Sequence, residues 1–440
     1  MDIPFIRAKE ETIVSQRKQS VSFFSSDARL CSGFHWAKKQ ALAYVRDDAP
    51  IGPCYESALP GRDSFCMRDA SHQAGGAHCL GLQAHNRNVM EVFARHISAD
   101  RDFCSYWEIT TRGTPTPVDY ADDSDFWYNL PANFDVADAC SRLYDLTGDQ
   151  GYLLDPVMAN FHRMSVEDYL WTWDRDRDGI VDRVDTDGRR GIASYDEGST
   201  KGYSTAADAL SLEYAAFMAV ARMYALKGEE EKAAHFRGKA QRLQNIFCGE
   251  WWNAKEKHFY AFRLKNGEFS ENASYDNALT PLRCGIIRDP EQLEGQLDYL
   301  LTLEPRMNVE VRSYLPAILW HYGRNADAMR IWLKMTAKDY PRREYPEISY
   351  AAVESLIFGY MGVQADVAQG VVRTRSAVEE GAWAQVFELP LWGGSMTLKH
   401  EGLSASELTN LTGRPIQWEA DLGGRRVSAC VQPGQTLRLI

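Results

Sequence analysis

Two kinds of helical segment alternate along most of the chain, and this alternation limits the folds that can bury its apolar surface. Six segments are apolar on nearly every side and begin near residues 69, 133, 207, 277, 313 and 350. Six amphipathic segments begin near residues 34, 85, 153, 230, 290 and 325. A helix that is apolar all round is buried, and an amphipathic helix covers it from outside. The pattern predicts a mainly α protein, an (α/α)6 toroid of six helical hairpins whose N-terminal helix closes the last pair.

The segments that lead into the apolar helices resemble one another. They carry the runs WYNLPA, SYD, SYD, SYLPA and SYAA, which begin at residues 127, 194, 274, 313 and 349. This similarity indicates a loose internal repeat. The inner helices of such a ring run parallel, so their leading loops gather at one end, where the helix N-termini carry partial positive charge. We expect a site at that end.

The pattern of apolar and polar residues changes from helical to strand-like at about residue 366. Short runs of alternating residues follow one another, separated by Gly, Pro and Asn, and this is typical of a small β-sandwich-like domain. We therefore predict an N-terminal extension at 1–33, the toroid at 34–363 and a C-terminal β-domain at 364–440.

Charge and composition exclude several classes of partner. The net charge is −12 without a basic stripe, so neither nucleic acid nor an anionic membrane is an expected partner. The first thirty residues carry charges throughout, and nowhere does an apolar run reach membrane-spanning length. The nine cysteines are odd in number and scattered without a CxxC pair, as for buried thiols in a reducing compartment. We expect a cytoplasmic location.

Two acidic loops carry the candidate catalytic residues. The first is a long acidic stretch, residues 174–204, and contains Asp196 and Glu197 after Tyr195. The second follows about 150 residues later and contains Glu344 and Glu347. Either pair could simply cap the next helix and remain solvated. If the ring places both loops at one rim, they can supply an acid and a base across one pocket.

The start of the first apolar helix is a candidate sugar-binding segment. Arg68 and Asp69, followed by His72 and Gln73, could bind hydroxyl groups, with the arginine holding the aspartate ionised. The alternative is a buried ion pair beside a core histidine. Trp127 and Tyr128 could likewise form a stacking face.

Other residues of the loops are candidates for the same pocket. Asn129 and Asn133 could add amide groups to the aromatic pair at 127–128; packing in the core is the alternative, and it is slightly favoured for each ring taken singly. Further candidates for substrate binding come from the remaining loops: Tyr195, Asp276, Glu310, Arg312 and Tyr345.

One stretch approaches the pattern of a calcium-binding loop. Asp174, Asp176, Asp178, Gly179, Asp182 and Asp185 fall at its first, third, fifth, sixth, ninth and twelfth positions. The last residue is Asp rather than the usual Glu, and arginines interrupt the acids, which favours a charged surface turn. We therefore predict no metal, with calcium as the alternative. The sequence contains no HExxH motif, phosphate-binding glycine loop or nucleophilic Ser or Cys elbow, so no cofactor is predicted.

Three segments, in this order, resemble the six-hairpin, (α/α)6-toroid glycoside hydrolases. CMRDASHQ, from residue 66, is similar to the segment by which glucoamylases and debranching glucosidases hold the terminal sugar, with Met67 in place of an aromatic residue. DRDRDGIVDRVD followed by SYDEG resembles the catalytic-aspartate region of trehalases and processing glucosidases, which have Trp-Asp instead of Tyr-Asp-Glu. REYPEISYAAVESLIFGYMG resembles their late segment, which holds the base. The resemblance covers about 34–362, and an α-L-rhamnosidase layout fits comparably.

The resemblance implies an exo-acting, inverting glycosidase. Asp196 or Glu197 would protonate the leaving oxygen, and Glu344 or Glu347 would activate a water molecule on the opposite face of the sugar. Inversion places two such carboxyl groups about 6.5–9.5 Å apart. The sugar would be held by Arg68, Asp69, Trp127 and Asn133.

Three other functions are also compatible with this sequence. A sugar epimerase on the same ring would need histidines at the rim, where only His72 and His78 are near. A glycoside phosphorylase would use phosphate in place of water. A non-catalytic glycan-binding protein would keep the aromatic residues without needing both acids. The sequence does not indicate the sugar, its anomer or the oligomeric state.

Overall fold

The computed structural model describes residues 21–197 and 202–440. Most of the described chain is a ring of helices. In chain order these are α1 (Ala28–Leu42), α2 (Met67–Cys79), α3 (Gln83–Arg95), α4 (Ala132–Thr147), α5 (Pro156–Met164), α6 (Ala207–Leu226), α7 (Glu230–Glu250), α8 (Tyr275–Cys284), α9 (Pro290–Leu303), α10 (Val309–His321), α11 (Asn325–Thr336) and α12 (Pro346–Glu354). Helical segments Gly151–Leu154, Ser165–Tyr169 and Leu170–Trp173 flank α5, and Ser355–Tyr360 extends α12 as a π-helix.

The even-numbered helices form a closed inner ring. Each packs on the next, from α2 through α4, α6, α8 and α10 to α12, and α12 returns to α2. The N-terminal helix α1 packs on α11 and α12, so it completes the outer layer. The predicted (α/α)6 toroid is therefore confirmed.

Burial separates the two layers as the sequence pattern predicted. The inner helix α6 is buried along most of its length, whereas its partner α7 buries one stripe that includes Phe236, Ala240, Leu243 and Phe247. Within the described residues, α6 is the one helix long and apolar enough to cross a membrane. Because 72% of that window is buried inside the protein, its apolarity is that of a core helix.

Local signals set where several helices begin. Asp27, Asp155 and Asp289 each accept a hydrogen bond from a backbone N–H of the first turn of α1, α5 and α9. Proline occupies an early helical position in α5 and α9, where its missing N–H costs nothing. Because the Asp27 cap starts α1 at Ala28, the predicted boundary at residue 34 falls inside this helix. Residues 1–20 of the predicted extension lie outside the described part of the chain.

The C-terminal region is a β-domain, as predicted. Its strands are β1 (Ser22–Ser25), β2 (Gln364–Asp366), β3 (Val371–Arg375), β4 (Trp383–Leu391), β5 (Gly394–Glu401), β6 (Ala405–Leu411), β7 (Ile416–Leu422), β8 (Arg425–Val431) and β9 (Thr436–Leu439). They form two sheets, ordered β1-β4-β5-β6-β9 and β2-β3-β7-β8. The N-terminal strand β1 pairs with β4. The β-domain therefore contains residues that precede the toroid in the sequence as well as residues that follow it.

Two short ribbons fix the entry to two inner helices. Strand Ser64–Cys66 runs into α2 and pairs with Glu108–Thr110. Strand Tyr203–Ala206 runs into α6 and pairs with Phe262–Leu264, where the ring of Tyr203 stacks on Phe262 at 4.1 Å. Both ribbons lie at the end of the toroid where the inner helices begin.

Candidate active site

Every inner helix carries one acidic side chain in its first turn. These first-turn acids are Asp69 of α2, Asp135 of α4, Asp208 of α6, Asp276 of α8, Glu310 of α10 and Glu347 of α12. The N-terminus of a helix favours a carboxylate through its unpaired N–H groups and its dipole. Six carboxyl groups therefore collect at one end of the ring.

Two adjoining cavities of about 570 and 460 Å³ open at this end. Both are lined by Arg68, Glu197, Glu310 and Glu347, and we call them together the acidic hollow. Other residues line one cavity only: Asp69, Trp107, Glu108, Asp119, Trp127 and Tyr345 in the larger, and His72, Tyr195, Asp196, Asp276 and Tyr314 in the smaller. The structure thus brings the two acidic loops to one hollow.

Arg68 supplies positive charge inside the hollow. Its Nε lies 3.1 Å from Oδ1 of Asp69, and its Nη1 lies 3.7 Å from Oε1 of Glu197. Its guanidinium carbon is 5.6 Å from the centre of the Tyr195 ring and 6.0 Å from that of Trp107. One arginine therefore contacts a carboxylate of α2 and the acid-bearing loop before α6.

Glu347 is the most enclosed carboxyl group of the second loop. Its residue is 6% exposed, and the hydroxyl of Tyr314 donates a 2.6 Å hydrogen bond to its Oε1. Burial, together with the negative charges of Asp69 and Glu310, raises the pKa of Glu347 well above its usual range, while Arg68 and the Tyr314 hydrogen bond oppose the rise.

The carboxyl group of Glu197 is more accessible. Its side chain is 39% exposed, and burial is still the main reason that its pKa is raised, with Arg68 acting in the opposite direction. Burial also raises the pKa of Glu310, and it raises that of Asp276 to about 6. The hollow therefore holds protonatable acids whose pKa values lie closer to neutrality than those of free carboxylates.

Asp208 holds the loop that presents Asp196 and Glu197. Its Oδ2 accepts hydrogen bonds from the Tyr195 N–H at 2.7 Å and from the Ser194 hydroxyl at 2.8 Å. Ser194 Oγ in turn accepts from the Asp196 N–H at 2.9 Å. Burial raises the pKa of Asp208 to about 7. This carboxyl group positions the acid-bearing loop and lies beneath the hollow.

Asp135 anchors the floor of the hollow. His72 Nε2 lies 2.9 Å from its Oδ2, the Tyr195 hydroxyl donates to the same oxygen at 3.0 Å, and Arg283 pairs closely with its other oxygen. Although burial acts in the opposite direction, Arg283 and His72 hold the pKa of Asp135 low. Burial lowers the pKa of His72 to about 4, so its ring is neutral at physiological pH.

Three residues predicted to bind substrate belong to the core. The Tyr128 hydroxyl donates to Oδ1 of Asn133 at 2.6 Å, and the Asn133 amide donates to the Phe103 carbonyl at 3.0 Å. The Asn129 amide donates to the Ser194 carbonyl at 2.6 Å. All three residues are 0% exposed, and their amide and hydroxyl groups are occupied by the protein. Of the predicted stacking face, only Trp127 reaches the hollow.

Three further predicted residues also lie away from the hollow. Glu344 is exposed on the surface, where its backbone carbonyl accepts from the Tyr44 hydroxyl. Arg312 is buried against Glu304, 3.2 Å away, because it satisfies the carbonyl groups that precede α10. Gln73 is buried one turn beyond Asp69 and does not line the hollow.

The structure adds residues to the site that the sequence pattern did not single out. Trp107, Glu108 and Asp119 come from the connection between α3 and α4. Burial, followed by a hydrogen bond with Asp119, raises the pKa of Glu108 to about 7. Tyr314 also belongs to this group. Its place in the SYLPA repeat was the only signal for it.

The fold and part of the sequence match known glycoside-acting proteins. Residues 135–314 match the family model of the mannosylglycerate hydrolase MGH1-like glycoside hydrolase domain. A putative kojibiose phosphorylase from the human microbiome is similar with a TM-score of 0.63 and 11% identity, over 100% of this chain and 66% of that one. The fold is thus that of the six-hairpin, (α/α)6-toroid glycosidases, and part of the ring resembles a glycoside hydrolase domain in sequence.

Two further solved structures share the fold at low sequence identity. An α-L-rhamnosidase from Dictyoglumus thermophilum has a TM-score of 0.62 at 13% identity, over 95% of this chain and 50% of that one. A glycosidase variant in complex with glucose has a TM-score of 0.53 at 14% identity, over 75% of this chain and 96% of that one. The chain thus spans two thirds or less of the length of the phosphorylase and the rhamnosidase. No curated protein matches it.

Proposed function

We propose that the protein is an exo-acting glycoside hydrolase that inverts the anomeric centre, with Glu197 as the general acid and Glu347 as the general base. One observation carries the proposal. Two carboxyl groups, about 150 residues apart in the sequence, line the same hollow with Arg68 between the loops that bear them. The match of residues 135–314 to a glycoside hydrolase domain supports the same class of reaction.

The shape of the hollow supports action on a chain end. His72 and Tyr314 line the smaller cavity and also a separate cavity of about 390 Å³, which reaches the opposite ends of the inner helices at Cys284 and His321. Their rings pack edge to face with centroids 4.8 Å apart, so they form a floor between the two spaces. A pocket with a floor admits a terminal sugar, whereas an open groove would accept the middle of a chain.

The reaction uses two proton transfers. Glu197 gives its proton to the glycosidic oxygen as the bond from C1 to that oxygen breaks. Glu347, once ionised, removes a proton from a water molecule whose oxygen bonds to C1 from the opposite face. Burial and its acidic neighbours raise the pKa of Glu347, whereas Arg68 and the Tyr314 hydrogen bond favour the ionised form that a base needs.

Other side chains of the hollow hold the sugar. Asp69 can accept hydrogen bonds from two hydroxyl groups while its contact with Arg68 holds the carboxylate in place. Trp107 and Trp127 offer apolar faces on which a sugar ring can stack. Burial lowers the pKa of His72 to about 4, which makes its ring a weak base, and its Nε2 is held by Asp135, so His72 fits a role in the floor better than that of an epimerase base.

The substrate is identified by a screen of aryl glycosides that includes rhamnosides, glucosides, mannosides and arabinosides. We expect release of one free sugar from one member of the panel. The matched control is the double variant Glu197→Gln/Glu347→Gln, whose circular dichroism should equal that of the parent protein. Binding without turnover on every substrate would favour a glycan-binding protein and contradict the proposal.

A glycoside phosphorylase is the second candidate. Two observations favour it: the similarity to the putative kojibiose phosphorylase, and the positive charge of three arginines that line the larger cavity, Arg62, Arg68 and Arg189. Each of these arginines is already paired with a carboxylate: Glu108, Asp69 and Asp125, respectively. Phosphorolysis also needs no base of the kind Glu347 supplies. The assay is repeated with and without phosphate. A hydrolase gives the free sugar at the same rate in both, and a phosphorylase gives the sugar 1-phosphate only with phosphate.

A further inference from the structure

A second group of carboxylates lies outside the acidic hollow, in the loop formed by residues 174–182. Asp174, Asp176, Asp178 and Asp182 each offer one oxygen, and these four oxygens all lie within 4.8 Å of one another. Oxygens that bind one Ca²⁺ ion at about 2.3–2.6 Å can be at most about 4.6–5.2 Å apart, the diameter of their shell. The four oxygens are thus close enough to share one such ion.

One oxygen of each of these carboxylates accepts a hydrogen bond from the protein, and the second oxygen of two of them accepts none among the described residues. Asp174 Oδ2 accepts from the Gly179 N–H at 3.0 Å, and Asp182 Oδ1 accepts from the Thr205 hydroxyl at 2.8 Å. Their second oxygens, Oδ1 of Asp174 and Oδ2 of Asp182, are buried and have no hydrogen-bond partner among the described residues. Both residues are 7% exposed. Such buried acceptors are costly unless a cation or a donor meets them.

A fifth carboxylate reaches this loop from the toroid. Glu213, in the apolar inner helix α6, is 0% exposed, and its Oε2 accepts from the Val181 N–H at 3.3 Å. Its other oxygen, Oε1, has no hydrogen-bond partner in the described part of the chain. A lone glutamate in the middle of an apolar helix is rare unless something compensates its charge. Glu213 is not a member of the sequence motif, so it is an independent indication of a ligand.

Two arginines of the described residues lie near this group. Arg263 lies 3.5 Å from Oδ2 of Asp178, and Arg242 donates to the Asp178 carbonyl. The five carboxyl groups therefore outnumber these two guanidinium groups.

We propose that residues 174–182 and Glu213 bind one Ca²⁺ ion, with Glu213 supplying a glutamate carboxylate, whereas the twelfth position of the motif has the shorter Asp185, whose side chain lies outside the described part of the structure. The donor set is all oxygen and mostly carboxylate, which suits Ca²⁺, whereas Mg²⁺ demands a smaller octahedral shell and keeps several waters. The ion joins the loop to α6, the helix whose Asp208 positions the acid-bearing loop.

Calcium binding is measured without reference to activity. The full chain is dialysed against a chelator and then titrated with CaCl₂ by calorimetry, and thermal unfolding is followed in parallel. We expect one ion per chain and a rise in Tm that grows with calcium concentration. Terbium replaces calcium in a third measurement, where Trp173, adjacent to Asp174, should sensitise its luminescence. Calcium should quench this signal by competition.

Two variants locate the site. Asp182→Asn and Glu213→Gln should each weaken binding by more than about 10-fold, the loss usual even for a partner of a metal ligand. Each also removes a repelling charge, so its Tm in chelator should equal or exceed that of the parent protein, which shows that the variant folds. Asp48→Asn, in an exposed bend after α1, is the matched control and should bind as the parent does.

Three outcomes would overturn the inference. The first is no heat and no change in Tm at millimolar calcium. The second is unchanged affinity in both variants. The third is Mg²⁺ binding as tightly as Ca²⁺, which would contradict the assignment of the ion. None of these outcomes depends on whether the protein hydrolyses glycosides, so the two proposals fail independently.

Discussion

The first-turn acids of the inner ring fall into two groups that occupy equivalent positions in the fold and serve different purposes. Asp69, Asp276, Glu310 and Glu347 line the acidic hollow, whereas Asp135 and Asp208 lie beneath it and bind protein groups. Asp135 and Asp208 both contact Tyr195 in the acid-bearing loop. The position of a carboxyl group at a helix N-terminus therefore does not decide its role. Its role depends on whether the carboxyl group faces the hollow or the protein groups beneath it.

Substitutions in the two groups of acids should have different effects. Changes to carboxyl groups that line the hollow should alter turnover at constant stability. Changes to those that hold the loop should alter stability first. The five tests below run from the largest expected effect to the smallest.

Glu347→Gln should show the largest loss. Removing the base should lower kcat by about 10²–10⁴-fold, because general-base catalysis contributes a factor of that order. Steady-state kinetics on the substrate found in the screen measures it. Glu344→Gln, three residues earlier and on the surface, is the control and should keep the activity of the parent. Equal activity in the two variants would remove Glu347 from the chemistry.

Glu197→Gln should have an effect that depends on the leaving group. A poor leaving group needs a proton, so its hydrolysis should fall by about 10²–10⁴-fold. A dinitrophenyl leaving group needs none, and its release should be much less affected. Asp196→Asn is the neighbouring control. If Asp196→Asn showed this dependence and Glu197→Gln did not, the acid would be Asp196.

Tyr314→Phe sharpens the assignment of Glu347 as the base. The Tyr314 hydrogen bond lowers the pKa of Glu347, so its removal raises that pKa further. Because the base must be ionised, the acid limb of the profile of kcat/KM against pH should move to higher pH. An acid limb that stays in place or moves to lower pH would show that Glu347 is not the base.

Asp208→Asn tests the other group of acids. Both oxygens of Asp208 accept hydrogen bonds, one from the Tyr195 N–H and the Ser194 hydroxyl and the other from the Ala209 N–H. The asparagine amide has only one oxygen, so its NH₂ group must face one of these donors, and this should lower the free energy of unfolding by about 1–3 kcal/mol in urea at pH 5. The pKa of Asp208 rises from 3.8 to about 7 on folding, so the folded state binds its proton more tightly. The stabilisation is complete below pH 4 and is lost as the pH rises to 7. The difference between parent and variant should therefore shrink over this range, and a difference that grew would contradict the burial of this group.

Tyr128→Phe should have the smallest effect. Its hydroxyl serves Asn133 in the core, so its loss should lower the free energy of unfolding by about 1 kcal/mol. KM and kcat should not change. A raised KM would return Tyr128 to the substrate-binding face that the sequence suggested.

The sequence predicts the ring well because the cause of each helix is local. Apolar residues at helical spacing, an aspartate cap and an early proline all act within one or two turns of the chain. The predicted starts of α6, α7, α9 and α11 therefore coincide with the observed first residues of these helices. The parallel arrangement of the inner helices then brings Glu197 and Glu347 together, although nothing near either residue in the chain shows it.

The sequence predicts less about which side chains open into the hollow. Trp127 and Tyr128 are neighbours with similar chemistry, yet the backbone turns one towards the cavity and the other into the core. Glu108 and Asp119 belong to a connection without helical spacing, so no pattern marked them. Glu213 interrupts an apolar helix without belonging to any motif, and only the packing of α6 against residues 174–182 shows what it faces.

The most direct test of the central claim is the anomer that forms first. Proton NMR follows the parent protein during the first minutes of hydrolysis of an aryl glycoside, before the free sugar equilibrates. Two carboxyl groups acting as acid and base on opposite faces of the sugar predict a product whose anomeric configuration is opposite to that of the substrate. A product that keeps the configuration of the substrate would contradict the assignment of Glu197 and Glu347 as an inverting pair.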